Sequence, residues 1–175
     1  MRIADLHLAA SKRGIAAVTL ERRAGSQRTS GAHLDRCRRE LAEYLSGDRT
    51  RFTAPLDLAG TAFQRTVWSA LASVPYGSTM TYGELARKIG RPSAVRAVAS
   101  AVARNPIGII IPCHRIVPAY ALRASPFASR ASRDRSAGRP ASRRVGKYAW
   151  GSTKKKWLLK HERSSYAPLR RSYSE

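Results

Sequence analysis

Acidic residues, cysteines and long apolar runs are all scarce in this sequence, and each scarcity excludes a class of protein. No run of about 18 apolar residues occurs, which excludes a transmembrane helix. The first residues lack the apolar stretch and cleavage site of a secretory signal, so we expect none. Cys37 and Cys113 are too few for a disulfide framework or a paired metal motif. They favour a reducing compartment in which thiols stay free, cytoplasmic or, in a eukaryote, nuclear.

The scarcity of acidic residues leaves the chain strongly basic. Its 175 residues include 11 Asp and Glu against 33 Lys and Arg, a formal net charge of +22 at pH 7. Such a charge favours a polyanionic partner, either nucleic acid or an anionic membrane surface. It indicates no sequence preference, because contacts to phosphate alone would account for it. The hydrophobic content of 43% is typical of a folded globular protein.

Residues 1–58 are predicted to form a small α/β unit. Residues 6–8 and 15–20 have the pattern of two strands joined by a turn at residues 11–14. Between residues 33 and 45 one helical face carries the apolar side chains Leu34, Cys37, Leu41 and Leu45, and Gly47 follows as a stop. Cys37 is therefore predicted to be a buried and unreactive side chain.

Residues 59–163 are predicted to form a second, mostly helical domain. Capping boxes at residues 61–64 and 81–84 predict two helix starts, and a third helix is expected from Ser93 to about Arg104. The second and third helices, joined by a tight turn, resemble a helix-turn-helix. The third helix would then read DNA, but its alanines are equally typical of a helix that packs closely. On this stretch alone both interpretations stay open.

Cys113 is the candidate nucleophile. The β-branched residues 107–111 predict a buried strand, and Cys113, His114 and Arg115 follow at its end. Cationic neighbours lower the pKa of a thiol, and the thiolate is the nucleophilic form. Adjacent strand residues point to opposite faces, so a water is one way to bridge Cys113 and His114. Judged alone, the segment fits a buried, inert cysteine equally well.

The end of the chain is predicted to contain a basic insert, a helix and a tail. Residues 119–144 are rich in Ala, Ser, Arg and Pro and are expected to form a flexible loop. A final helix is expected at residues 152–161, with Trp157, Leu158 and Leu159 on its buried side. The charge run at residues 154–156 is interpreted as a solvated helix face, with a DNA contact as the less favoured alternative. Residues 164–175 are expected to be a polar tail.

The order of the motifs resembles one protein family. Residues 82–86 (Tyr-Gly-Glu-Leu-Ala), 94–98, 105–107, 111–115 and 157–162 follow one another as in the O6-alkylguanine-DNA alkyltransferases, also called methylated-DNA–protein-cysteine methyltransferases. The resemblance covers most of the chain and is most specific across residues 63–117. It implies an α/β fold, in which a small N-terminal α/β unit packs on a mostly helical, winged-helix-like C-terminal domain.

The resemblance also implies an activity and a catalytic group. The protein is expected to be a monomer that acts on double-stranded DNA containing O6-alkylguanine, without a cofactor, a metal or a membrane partner. Cys113 corresponds to the residue that accepts the alkyl group, His114 to the histidine that deprotonates it through a water, and Glu162 to the acid that orients this histidine. Tyr82 corresponds to the tyrosine that helps rotate the nucleotide, and Asn105 to a hinge asparagine.

Further matching residues are implied to bind DNA or the flipped base. DNA binding is implied for Tyr82, Ser93, Arg96, Ala97 and Arg115. Arg96 corresponds to the finger that fills the space left in the duplex. The substrate pocket is implied to include Tyr148, Ala149 and Trp150. An alkyl group on O6 is hidden in the base stack, so chemistry on it requires base flipping.

The chain departs from the family pattern by its long basic insert between Cys113 and Tyr148. The insert either loops out harmlessly, adds phosphate contacts or spoils the pocket. The first two are favoured, because residues 145–151 resume the pattern. Two other functions stay open: a sensor that binds alkylated bases without transfer, and a general basic nucleic-acid-binding protein.

Overall fold

The N-terminal part of the chain is a β-hairpin packed against a long helix. The structure, a computed structural model, describes residues 1–20, 31–123, 145–146 and 148–171. After a 3-10 turn (Ile3–Asp5), strand β1 (His7–Ser11) pairs antiparallel with β2 (Gly14–Thr19). Helix α1 (Ala32–Ser46) packs on this hairpin. The predicted α/β unit is therefore confirmed.

Helix α1 buries the face that its sequence spacing indicates. The buried apolar side chains are Leu34, Cys37, Leu41 and Tyr44. Leu45, predicted on the same face, is only partly buried, because the helical turn places Tyr44 closer to the core. The helix ends at Gly47, whose φ of 97° lies in the left-handed region that glycine adopts without strain.

The rest of the described chain is mostly helical. It contains helices α2 (Ala62–Ala72), α3 (Tyr82–Lys88), α4 (Val95–Ala103), α5 (Ala119–Arg123) and α6 (Ser152–Arg171). Two short strands, β3 (Met80–Thr81) and β4 (Ile116–Val117), pair in parallel. The structure therefore has the predicted architecture, in which a small α/β unit packs on a mostly helical unit.

Helices α3 and α4 form the predicted helix-turn-helix. Both capping boxes are present: the Thr61 and Thr81 hydroxyls each accept a hydrogen bond from the backbone N–H three residues on. The backbone N–H of each threonine donates to the side chain of that same residue, Gln64 or Glu84. Helix α4 begins at Val95, later than predicted, so Ser93 lies in the preceding turn. The reason is a local turn in which the Ala94 N–H donates to the Arg91 carbonyl.

The prediction of a buried strand at residues 107–111 is wrong. Ile107 alone makes a β-bridge, to Val18, and the chain then folds into tight turns with Ile109 at a φ of 69°. The Ile111 N–H donates back to the Ile107 carbonyl, 3.0 Å away. The burial was predicted correctly, but a short apolar run does not distinguish a strand from another buried conformation.

The C-terminal elements also differ from their predictions. Residues 119–123 form α5 instead of the start of a loop, and the remainder of the insert, residues 124–144, lies outside the described residues. Helix α6 continues to Arg171, past the predicted end at His161 and into the predicted tail. On α6, Leu158 and Leu159 are buried as expected, whereas Trp157 is half-buried and stacks on His161.

One hydrophobic core joins the two units. It combines side chains of the hairpin and α1 with those of α2, α3, α4 and α6. The backbone is joined as well, because Val18 bonds both Pro106 and Gly108. The domain boundary predicted after residue 58 therefore does not interrupt the packing. Within the described ranges, no helix is long and apolar enough to cross a membrane.

Candidate active site

A cavity of about 410 Å³ opens between α3, the end of α4 and the segment before α6. Six of the predicted site residues, which lie on different elements of the fold, line this cavity: Tyr82, Asn105, Cys113, Tyr148, Ala149 and Trp150. Ala99, Val102 and Ala103 of α4 supply small apolar wall residues. The described chain contains no group of three or more His, Cys, Asp or Glu suited to a metal.

Cys113 begins a 3-10 turn (Cys113–Arg115) and is one of the residues that line the cavity. Asn105 holds this turn in place. Its side-chain NH₂ donates to the Ile111 carbonyl at 2.8 Å and to the Cys113 sulfur at 3.1 Å, and its oxygen accepts from the Ile107 N–H at 3.0 Å. The amide thus fixes the loop and supplies a hydrogen bond that favours the charged sulfur.

Cys113 is a neutral thiol in the free protein, contrary to the prediction that cationic neighbours lower its pKa. Burial raises the pKa of Cys113, and the opposing effects of Asn105, Tyr148 and Lys155 are smaller. The predicted neighbours fail to lower it because the charge of Arg115 is paired with Glu162 and because His114 is itself neutral. A base must therefore remove the thiol proton before the sulfur reacts.

Glu162 binds His114, the middle residue of the 3-10 turn, in a fully buried pair. His114 Nε2 lies 2.7 Å from the Glu162 carboxylate, and both residues are 0% exposed. Burial alone would raise the pKa of Glu162, but hydrogen bonds and charge from His114 and Arg115 outweigh it and hold the pKa far below its usual range. The carboxylate is therefore ionised and accepts a hydrogen bond from the Nε2–H group of His114.

The other nitrogen of His114 is left as the basic atom. Nδ1 is buried and makes no hydrogen bond to any residue that the structure describes. Burial lowers the pKa of His114, and the charges of Arg115 and Lys155 lower it further against the opposing effect of Glu162. The resting imidazole is neutral, with a free lone pair on Nδ1, and Cys113 directly precedes this residue in the sequence.

Arg115, which was predicted to bind DNA, is buried and faces the protein interior. Its side chain is only 7% exposed, and its guanidinium bonds both Glu162 oxygens. A further N–H donates to the Val74 carbonyl at 2.6 Å, and the group lies over the Tyr76 ring. Arg115 is therefore a structural partner of the Glu162 carboxylate.

Tyr148 and Trp150 form the wall of the cavity opposite α4. The Tyr148 hydroxyl is buried close to Cys113, although its geometry gives no hydrogen bond within the described residues. Burial raises the pKa of Tyr148, and Cys113 adds to the rise, so the phenol stays neutral. Gly108 permits the approach of Trp150, because a Cβ at this position would lie 2.3 Å from the indole.

The remaining predicted DNA-binding residues lie outside the cavity. Ser93, Arg96 and Ala97 are exposed, on the turn before α4 and on its first turn. The opposite side of α4 packs into the core through Val98, Ala101 and Val102. Helix α4 therefore joins an exposed basic start to the cavity wall at its end, and Tyr82 at the start of α3 lies at the cavity itself.

Two buried residues of the site were not identified from the sequence. Lys155, interpreted as part of a solvated charge run, is 0% exposed. Tyr44 of α1 donates its hydroxyl to Glu162 at 2.7 Å. The signal for Lys155 was its position three, four and seven residues before Leu158, Leu159 and Glu162, which places all four on one helical face. No sequence pattern near Tyr44 indicates its contact with Glu162, which lies 118 positions further along the chain.

Comparison with known proteins matches both units of the chain to one protein family. Residues 3–58 match the 6-O-methylguanine DNA methyltransferase ribonuclease-like domain, and residues 62–136 match the DNA binding domain of the same name. A methylated-DNA–protein-cysteine methyltransferase of Mycobacterium leprae is 52% identical over 80 residues, 46% of this chain. The chain spans about half the length of the curated relatives it matches, 48% in this case.

Solved structures extend the similarity to nearly the whole chain. The structure of Mycobacterium tuberculosis OGT in complex with DNA is 33% identical, with a TM-score of 0.72, over 91% of this chain and 87% of that one. A structure of the M. tuberculosis O6-methylguanine methyltransferase is 31% identical, with a TM-score of 0.63, over 91% and 93%. The resemblance predicted from the motifs is confirmed: this chain belongs to the 6-O-methylguanine DNA methyltransferase family.

Proposed function

We propose that this protein repairs DNA by direct reversal, moving a methyl or other alkyl group from O6 of guanine irreversibly onto Cys113. One observation carries the proposal: Cys113 lines a cavity large enough for a base, and its neighbour in the chain, His114, forms a buried pair with Glu162. A cavity of about 410 Å³ lies within the range of small-molecule sites. The proposal makes Cys113 the acceptor and assigns no cofactor.

The first step is the loss of the thiol proton. We assign its uptake to His114 Nδ1 through a bridging water, since Nε2 is already bonded to Glu162. The imidazole gains one positive charge, which the ionised Glu162 stabilises at 2.7 Å. Asn105 donates a hydrogen bond to the sulfur as it becomes negative.

The second step is an in-line displacement at the alkyl carbon. The thiolate forms a bond from sulfur to carbon, the bond from carbon to O6 breaks, and its electron pair passes to guanine. In the overall balance guanine takes up the proton that His114 accepted from Cys113, relayed through water, and His114 is neutral again. Tyr82 and Tyr148 share the cavity with Cys113, and burial raises the pKa of both, so they are neutral hydrogen-bond donors to the base. The thioether does not hydrolyse readily, so each molecule acts once.

DNA binding is assigned to the start of the helix-turn-helix. Small residues such as Ala97 let α4 approach the minor groove closely, and Arg96 fills the space that the flipped nucleotide leaves. The exposure of Ser93, Arg96 and Ala97 supports this orientation. The basic insert adds phosphate contacts by its charge. We place the protein, as a monomer, in the cytoplasm or in a eukaryotic nucleus, where its two free thiols stay reduced.

Intact-protein mass spectrometry tests the proposal directly. Incubation with a duplex containing O6-methylguanine should add one methylene mass, and peptide mapping should place it on Cys113. The Cys113→Ser variant should gain nothing, while the matched Cys37→Ser variant should react like the wild type, because Cys37 is buried on α1 away from the cavity. An unchanged wild-type mass with lesion-dependent binding would instead identify a non-catalytic sensor.

A further inference from the structure

A second cavity, of about 570 Å³, lies on the surface between α2 and the end of α3, separate from the cavity of Cys113. We call it the α2–α3 groove. Its polar lining residues are all exposed: Arg65, Thr66, Ser69, Ser73 and Lys88. The proposed alkyl transfer gives none of them a role, so this surface is available for another contact.

The sequence of α2 explains why its side of the groove is polar. Val67 and Leu71 are buried in the core, which leaves the opposite face of the helix exposed. Thr66, Ser69 and Ser73 follow one another at spacings of three and four residues, so their hydroxyl groups share that face. Side-chain hydroxyl groups, together with Arg and Lys, are the usual partners of phosphate oxygens in DNA complexes.

The two cations of the groove, Arg65 and Lys88, have no acidic partner. In the part of the chain that the structure describes, neither side chain forms an ion pair. Residues 62–105 contain six Lys and Arg, and Glu84 is their one acidic residue. Its carboxylate accepts hydrogen bonds from the Thr81 N–H at 2.7 Å and hydroxyl at 2.8 Å, at the other end of α3 from Lys88. The groove therefore carries unbalanced positive charge.

The groove is also continuous with the part of the helix-turn-helix assigned to DNA. Lys88 ends α3, and the turn that follows leads directly to the exposed Ser93 and Arg96. We propose that the α2–α3 groove binds the sugar-phosphate backbone of duplex DNA beside the lesion, with Arg65 and Lys88 as its phosphate contacts. The inference rests on the DNA binding in the proposed function and extends the contact surface from α4 to α2.

Duplex DNA fits this surface better than an acidic protein segment does. It carries one negative charge for about every 1.7 Å of its axis, so neighbouring phosphates can reach two separate cations. The charge of the groove and its continuity with the start of α4 both favour the molecule that α4 binds. Phosphate contacts position a duplex without reading its sequence. They would hold the backbone in place while Arg96 enters the base stack.

The first test measures how DNA binding depends on salt. Fluorescence anisotropy of a labelled, undamaged duplex gives the affinity of the full-length protein over a range of KCl concentrations. Each phosphate contact contributes about 0.9 to the slope of log affinity against log salt, so Arg65→Gln combined with Lys88→Gln should reduce the slope by about 1.8. Arg65→Lys combined with Lys88→Arg retains both charges and should keep most of the slope.

A matched control separates contact from overall charge. Lys12→Gln combined with Arg39→Gln removes the same charge from exposed positions of the N-terminal unit and should keep the wild-type slope. A wild-type slope in the Arg65→Gln, Lys88→Gln variant, in protein that melts at the wild-type temperature, would overturn the proposal. An equal reduction of the slope in the control would overturn it as well.

A second measurement uses the wild-type protein and does not depend on the folding of a variant. Exposed lysines are acetylated with and without saturating duplex, and peptide mass spectrometry reports each site. DNA should protect Lys88 severalfold and leave Lys12 unchanged. Equal acetylation of Lys88 in both samples would contradict the proposal. Protection by polyglutamate but not by DNA would also contradict it, and would assign the groove to an acidic protein.

Methyl transfer is a separate readout, so the two proposals can fail independently. If the wild-type protein gains no methyl group but DNA protects Lys88, the repair function is refuted and the groove contact stands. If the protein gains the methyl group and Lys88 is not protected, the groove contact is refuted and repair stands.

Discussion

The hydroxyl of Tyr44 connects the N-terminal unit to the Glu162 carboxylate, and Tyr44→Phe removes this one contact. Tyr44 and Glu162 are both 0% exposed, and the hydroxyl lies 2.7 Å from Oε1. The phenyl ring keeps its packing against Phe52, Tyr76 and His161. Burial and Glu162 raise the pKa of Tyr44, so the hydroxyl stays protonated and acts as the donor.

The expected loss of stability in Tyr44→Phe follows from the charge of the hydrogen-bond acceptor, Glu162. A hydrogen bond to an ionised group contributes roughly 1.5–3 kcal/mol, and the carboxylate loses it with no room for solvent to replace it. We expect Tyr44→Phe to lower the free energy of unfolding by about 2 kcal/mol. It should also slow alkyl transfer, because Glu162 orients His114 less firmly.

Urea denaturation and single-turnover methyl transfer measure the two effects. Tyr76→Phe is the matched control, because its hydroxyl makes no hydrogen bond to Glu162 although its ring lies 6.0 Å from that of Tyr44. It should lose clearly less stability than Tyr44→Phe. Equal losses in the two variants would refute the reasoning that the charged hydrogen bond, and not ring packing, is what Tyr44 contributes.

Three further predictions follow from the described contacts and from the charge of the chain. Arg96→Ala should reduce transfer on duplex DNA severalfold while leaving the reaction with free O6-methylguanine base unchanged; equal activity on the duplex would refute the finger role. The stability that Glu40 and Glu162 contribute should be fully present above about pH 4.5 and decrease as the pH falls below it, because hydrogen bonds from Thr53 outweigh burial and lower the pKa of Glu40 to about 2, and the pKa of Glu162 is lowered in the same direction. Acid titration of the unfolding free energy measures this, and an unchanged value at pH 3 would contradict it. Deleting residues 124–140 should weaken DNA binding and make its salt dependence less steep, whereas an uncharged Gly-Ser replacement of equal length should behave like the deletion. A salt slope equal to that of the wild type would reduce the insert to a spacer.

Signals between near neighbours determined much of this protein from the sequence alone. The capping boxes at Thr61 and Thr81, the stop at Gly47 and the apolar face of α1 are all present in the structure. Each depends on backbone and side-chain contacts within a few residues, which the order of amino acids fixes directly. The order of the motifs between Tyr82 and Glu162 likewise led to the correct family.

The tertiary structure alone decided the charges and conformations inside the site. Lys155 is buried, Arg115 forms an ion pair with Glu162 in the interior, and residues 107–111 form turns. Each of these outcomes depends on elements that come from elsewhere in the chain and pack against the residue. The contact of Tyr44 with Glu162 joins residues 118 positions apart. Burial and pairing set both the cost of a charge and the pKa of a thiol, and only the packed fold specifies them.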